Sequence, residues 1–256
     1  MKTKITGETL PVLEIGLEQG DMIIAEPGEF SWMTQTVMMN TAAQTAGAKG
    51  LFGVLGRALA GGGLFMTEFT APAGPGLVAF AAKIPGRILE VDVTPGQNYM
   101  IHQHGFLCAT QGVELGLGFQ RSLGAGIFGG DGFKLQKLSG QCKAWVELGG
   151  EVITYELAAG ETIQVHPGHV GMFTESIGFD VTLLPGIKNM FFGGDGIFVA
   201  RLTGPGKIWL QSLTLPNFAH ALAPYIGGRG ESQQNIQTGI AGGVAGSVLR
   251  GLFDNK

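Results

Sequence analysis

The chain of 256 residues carries 45 glycines, 45% apolar residues, only 14% charged residues and a net charge of −4. That apolar share excludes a disordered chain, and the lack of a Gly-X-Y period excludes collagen. A sequence pI near 5.7 argues against the basic face that nucleic-acid binding requires, so no nucleic-acid partner is expected.

The N-terminal stretch "MKTKITGETLPVLEIG" has no apolar core of a secretory signal, and no run of 18 apolar residues follows anywhere. The first clear element is "VLEIGLEQG", ending at Gly20. Leu13, Ile15 and Leu17 alternate with Glu14 and Gly16, the period-two pattern of a half-buried strand closed by a glycine turn. The pattern returns in "ILEVDVTPG", ending at Gly96, and in "VITYELAAG", ending at Gly160.

A second glycine anchor follows each of the first. Gly63, Gly132 and Gly196 precede apolar residues at matched offsets: Leu64, Phe133 and Ile197, then Met66, Leu135 and Val199, then Phe69, Leu138 and Leu202. The last two segments also share Gly-x-x-Lys-x-Trp, with Lys143 and Trp145 in one and Lys207 and Trp209 in the other. The anchors stand 36 residues apart in the second and third segments and 43 apart in the first, so the first holds an insertion near 41–61. Internal similarity at this scale is an architectural unit. The expected organisation is all-β, with three tandem pseudo-repeats of short antiparallel strands at 10–87, 88–150 and 151–215. A tail at 216–256 follows, glycine-rich and partly helical through "PNFAHALAPYIGG". In the insertion, Leu51, Phe52, Leu55 and Leu59 share one helical face, which suits either packing on the body or contact with a partner or membrane surface.

The runs Gly193-Gly194-Asp195-Gly196 and Gly129-Gly130-Asp131-Gly132 read as turns. A phosphate loop opens a helix, whereas alternating strand patterns follow both runs, and an aspartate repels phosphate. Cys108 and Cys142 lie in apolar runs; at this chain length no disulfide is needed, and free thiols in a reducing compartment, hence a cytoplasmic location, are expected. Trp145 and Trp209 recur at one repeat position and read as core residues. No Gly-x-Ser-x-Gly run or activated cysteine is present, so no catalytic residue and no cofactor is expected.

Histidines carry the metal-binding alternative. His102 and His104 form His-x-His in "YMIHQHGF", a spacing that puts both rings on one strand face, and His166 lies in "IQVHPGHV". His102 and His166 stand six residues past Gly96 and Gly160, where Glu26 stands six past Gly20. Convergence of Glu26, His102 and His166, with His104 as a further ligand, would make a cupin-like metal or small-ligand site. The glutamate that completes a cupin motif is missing. Matched positions also arise in repeats without any site, as solvent-facing turn residues.

The segments "GLFGVLGRALAGGGLFMTEFTAPAGPGLVAFAAKIPGRI" and "LTGPGKIWLQSL", with the paired "GGDGF" and "GGDGIF" runs, resemble the altered inheritance of mitochondria protein 24 family over about Glu18 to Leu222. The resemblance implies a β-helix-like body of three similar parts, related to the tryptophan RNA-binding attenuator protein, and a homotrimer that mimics a nine-membered ring. It implies no enzymatic activity. Gly62 departs from the acidic residue usual at that turn, where the other two segments have Asp131 and Asp195. The function expected is a non-catalytic scaffold or interaction protein, with a protein or membrane-surface partner.

Overall fold

The computed structural model describes residues 1–42, 66–121, 133–183 and 198–226. The insertion near 41–61 beyond Ala42, the Gly-Gly-Asp-Gly turns and the tail after Ile226 fall outside the described residues.

The chain is mostly β, as expected. An N-terminal strand, β1 (Lys2–Thr6), precedes three runs of six strands. The first run is β2 (Val12–Leu17), β3 (Met22–Ala25), β4 (Trp32–Met33), β5 (Met38–Ala42), β6 (Met66–Thr70) and β7 (Gly76–Ala81). The second is β8 (Gly86–Val93), β9 (Tyr99–His102), β10 (Phe106–Thr110), β11 (Val113–Arg121), β12 (Phe133–Gly140) and β13 (Cys142–Gly149). The third is β14 (Val152–Leu157), β15 (Thr162–Val165), β16 (Val170–Thr174), β17 (Gly178–Leu183), β18 (Phe198–Thr203) and β19 (Gly206–Gln211).

Every pairing is antiparallel. The first and last strands of each run pair, as β2–β7, β8–β13 and β14–β19. Hairpin-like pairs β5–β6, β11–β12 and β17–β18 flank the segments read as turns. Two pairings cross between runs: β10 joins β3, and β16 joins β9. These crossings merge the strands into sheets ordered β1-β2-β7-β4, β5-β6-β3-β10-β13-β8, β11-β12-β9-β16-β19-β14 and β15-β18-β17.

Glycine sets the turn between the first and second strands of each run. Gly20, Gly96 and Gly160 have φ of 93°, 89° and 81°, a left-handed conformation that costs glycine nothing. The residue after each donates its N–H three residues back: Asp21 to Glu18, Gln97 to Thr94 and Glu161 to Ala158.

Three apolar clusters fill the body. One gathers Leu13, Ile15, Phe69 and Phe80 around Trp145. A second holds Ile24, Tyr99, Ile101, Val146 and Met172, and a third holds Phe133, Phe173, Ile177 and Leu202. Each cluster joins residues from two or three of the runs. Each fully buried aliphatic or phenyl side chain contributes roughly 1.5–3 kcal/mol, so these shared clusters hold one run against the next. Cys108 and Cys142 are free thiols.

The compact unit Met1–Pro216 holds all of these strands, and the second unit begins at Asn217. The helix expected in the tail forms as α1 (Leu215–Ile226). Pro216 occupies its first turn, where a missing N–H removes no helical bond. Among the described residues no helix is long and apolar enough to cross a membrane.

Candidate functional site

The four metal-ligand candidates do not assemble into a ligand set. His102 ends β9 and packs under the chain. Its Nε2 lies 3.2 Å from the Glu147 carbonyl oxygen, which makes Nε2–H the donor. Burial holds the imidazole at about 4, so the ring is neutral at physiological pH. His104 does not share a strand with it. The chain turns after His102, with Gly105 N–H donating to the His102 carbonyl at 2.8 Å, and His104 is exposed in that turn with Nε2 at 2.7 Å from Gln103 Nε2. The expectation of two rings on one strand face fails because the strand stops at the first histidine.

Glu26 follows β3 and is half-buried. Its Oε1 accepts a hydrogen bond from Gln136 Nε2 at 2.9 Å, and burial pushes the carboxyl above its usual range. His166 follows β15, is exposed, and packs edge-on to His169 with ring centroids 5.8 Å apart. The expected convergence of Glu26, His102 and His166 does not occur. Among the described residues no three His, Cys, Asp or Glu side chains gather closely enough to hold a metal ion. Equal offsets from the glycine anchors place the three at equivalent strand ends, which is not enough to build a ligand set.

A charged cluster that the sequence reading did not single out lies beside Glu26. Glu147, on β13, is 3% exposed. Its Oε1 accepts the backbone N–H groups of Lys83 at 2.8 Å and Ile84 at 3.2 Å, tying down the connection between β7 and β8. Lys83 Nζ lies 2.6 Å from Glu29 Oε1 and 3.9 Å from Glu147 Oε2. One ammonium thus stands between two carboxylates from distant parts of the chain. At the matched place on β19, Gln211 does the same backbone work: its Oε1 accepts Gly149 N–H at 2.9 Å and its Nε2 donates to the Gly168 carbonyl at 3.0 Å. The sequence signal is a glutamate inside the apolar run "KAWVELGG".

Trp145 is fully buried, and its Nε1–H donates to Glu90 Oε2 at 3.2 Å, which agrees with a core role. Lys143 pairs with the same Glu90 carboxylate.

The surface offers a different kind of site. Leu13 and Ile15 on β2 are 0% exposed, whereas the matched Ile153 and Tyr155 on β14 are 51% and 42% exposed. Val91, matched to Ile15 on β8, is 8% exposed. The same apolar strand face is therefore covered in the first two runs and bare in the third. Two strands also lack a partner that their counterparts have. β3 pairs with β6 and β10, and β9 with β12 and β16, but among the described residues β15 pairs with β18 alone. Likewise β10 and β16 each have two partners, while among the described residues β4 pairs only with β7, and Trp32 is 45% exposed.

Comparison with known proteins places the chain. The family model described as mitochondrial biogenesis AIM24 matches residues 3–213. The chain belongs to the AIM24 family. An uncharacterised AIM24-like relative from Streptococcus pyogenes serotype M6 is 27% identical over 220 residues, 84% of this chain and 87% of the relative. The crystal structure of a Streptococcus pyogenes protein is similar with a TM-score of 0.68 and 25% identity, covering 88% of this chain and 99% of that one. AIM24 membership thus fixes the fold family, and the function has to be argued from the surface.

Proposed function

We propose that this AIM24 protein is a non-catalytic scaffold that assembles head to tail from copies of itself, three chains to a closed ring. The observation that carries this reading is the pair of unmatched strands. Offsets from Gly20, Gly96 and Gly160 align β4 with β10 and β16, and β3 with β9 and β15. Within the chain, Cys108 faces Ala25 and Met172 faces Ile101. Continuing the same step to a second copy sets Trp32 of one chain opposite Val165 of the next, and Met33 opposite Gln164.

Physical reasons favour that contact. An open strand edge and a bare apolar face beside it are costly in water, and pairing removes both. The face bearing Ile153 and Tyr155 is the one that in the other two runs is covered by the run that follows. A head-to-tail contact of this kind gives a ring when its rotation closes. Closure at three chains is what the AIM24 resemblance implies.

Cysteines at Met33 and Gln164 test the register, since directly opposed residues bring Cβ atoms about 4.5–5.5 Å apart, near the span of a disulfide. The double variant, oxidised mildly, is expected to run as covalent dimers and trimers on a non-reducing gel, while each single variant stays monomeric there. A folded double variant that forms no cross-link contradicts the assignment. A second check is Ile153→Lys, which leaves the isolated chain folded because the side chain is already exposed, and which is expected to reduce the assembly to single chains.

A further inference from the structure

The Glu29–Lys83–Glu147 cluster has an imbalance that its geometry makes plain. Two carboxylates share one ammonium, and the buried side-chain oxygens without a hydrogen-bond partner among the described residues are Glu29 Oε2, Glu147 Oε2 and Gln136 Oε1. Gln136 is the residue bonded to Glu26, so all three belong to one neighbourhood. An unpartnered oxygen in such a place costs about 1–3 kcal/mol, more when charged. The matched Gln211 shows that the backbone duty of Glu147 needs no charge. What a carboxylate adds at this place is a charge 3.9 Å from the Lys83 ammonium, which a proton can switch off.

The segment this cluster holds leads into β4. Glu29 N–H donates to the Glu26 carbonyl at 3.3 Å, and Ser31 N–H donates to the Ala79 carbonyl at 3.1 Å. Ser31 Oγ accepts Ala81 N–H at 2.8 Å. The Lys83–Glu29 ion pair is the side-chain tie between this segment and the β7–β8 connection.

We propose that Glu147 is a proton-operated latch that sets how firmly Lys83 holds Glu29, and so how firmly the segment ahead of the open edge strand β4 is fixed. With Glu147 charged, the Lys83 ammonium that bonds Glu29 at 2.6 Å is also drawn toward Glu147 at 3.9 Å, and the two carboxylates repel each other. With Glu147 protonated, the repulsion ends and Lys83 serves Glu29 alone. Other titratable groups face the cluster. Glu26 lies close enough to Glu29 to feel its charge, and its carboxyl is itself raised by burial; His102 sits on the Glu147 carbonyl and is neutral above about 4; His104 lies beside His102. Burial is the main cause that raises the Glu147 carboxyl, with Lys83 and the two backbone N–H groups opposing it. The Cys108 thiol, within reach of the Glu29 charge, is raised by burial and takes no part near neutrality.

The bearing of this latch on association rests on the scaffold reading; the latch itself does not. Hydrogen exchange at the Glu29 and Ser31 amides reads it directly, because both acceptors belong to the same chain. After correction for the intrinsic pH dependence of exchange, protection there is expected to rise at least about tenfold as pH is lowered stepwise from 8 to the ordinary carboxylate value of 4.5, above which the Glu147 carboxyl is raised, the weight of one charge-assisted hydrogen bond. Glu147→Gln is expected to show the higher protection at every step. Glu29→Gln, which cuts the tie without touching β13, is expected to show low protection throughout, with β12 and β13 unaffected. A flat wild-type profile overturns the proposal, and so does a Glu147→Gln profile that keeps the wild-type slope. Light scattering on the same samples reports association separately, so loss of the latch and loss of the scaffold reading cannot be confused.

Discussion

Trp145→Ala removes the largest fully buried side chain. Its ring lies in the cluster with Leu13, Ile15, Phe69, Phe80, Leu107 and Cys108, so it joins the first run of strands to the second. Truncation of a fully buried tryptophan costs about 3–5 kcal/mol, from lost burial and from the cavity left behind. The Nε1–H bond to Glu90 is lost as well, but Glu90 keeps its ion pair with Lys143 and its side chain is 35% exposed, so no buried charge is stranded. Against a total stability of roughly 5–15 kcal/mol this is a large fraction. With a urea slope of about 3 kcal/mol/M, the midpoint should fall by roughly 1–1.7 M. Trp209→Ala is the internal comparison. That ring is only half-buried, meets Tyr99 edge-on at 6.0 Å and lies under the Lys207 ammonium at 5.0 Å, so its loss should cost clearly less. The assay is urea unfolding followed by circular dichroism, at one fixed protomer concentration because association shifts apparent stability. Equal midpoint shifts for the two variants, or a Trp145→Ala shift worth under about 1 kcal/mol, would refute the account of the core.

Two further outcomes follow from buried titratable groups. The folded-state value of His102 is depressed to about 4 from 6.5, so its contribution to stability is present above pH 6.5 and is lost as pH falls through about 4. Wild-type protein should therefore lose up to about 3 kcal/mol across that window, and His102→Gln, which can still donate to the Glu147 carbonyl, should lack this component; parallel acid limbs for the two proteins would contradict the assignment. Both thiols are pushed up by burial, Cys142 to about 11 and Cys108 well above the ordinary range. A thiol reagent at pH 8 should label Cys142 slowly and Cys108 only after denaturation, and rapid labelling of Cys108 in native protein would show that the core around β10 is open.

Much of this was readable from local pattern. Alternation in "VLEIGLEQG", "ILEVDVTPG" and "VITYELAAG" marks strands because a half-buried sheet demands period two, and Gly20, Gly96 and Gly160 take the positive φ that the following turn needs. The tail helix was visible in "PNFAHALAPYI" for a similar local reason. What escaped was non-local. Nothing in "KAWVELGG" says that Glu147 will meet Lys83 and Glu29, which lie 64 and 118 residues away, because that meeting is made by pairing between separate runs of strands. The metal reading finds no support among the described residues, where no three His, Cys, Asp or Glu side chains gather to hold an ion. Equal offsets of Glu26, His102 and His166 from Gly20, Gly96 and Gly160 mark a position along the chain, and position alone does not assemble a ligand set. Strand β1, which lines the free edge of β2, also went unread, because all five of its side chains are exposed and its sequence shows little burial pattern.

The account stands or falls on whether β4 of one AIM24 chain completes β15 of another. The most direct measurement is the solution mass of the intact protein by light scattering coupled to size exclusion, at micromolar protomer concentration. The account predicts one species at three times the 26.7 kDa chain mass, converted to single chains by Ile153→Lys. A wild-type protein that elutes as a 26.7 kDa monomer at that concentration would contradict it.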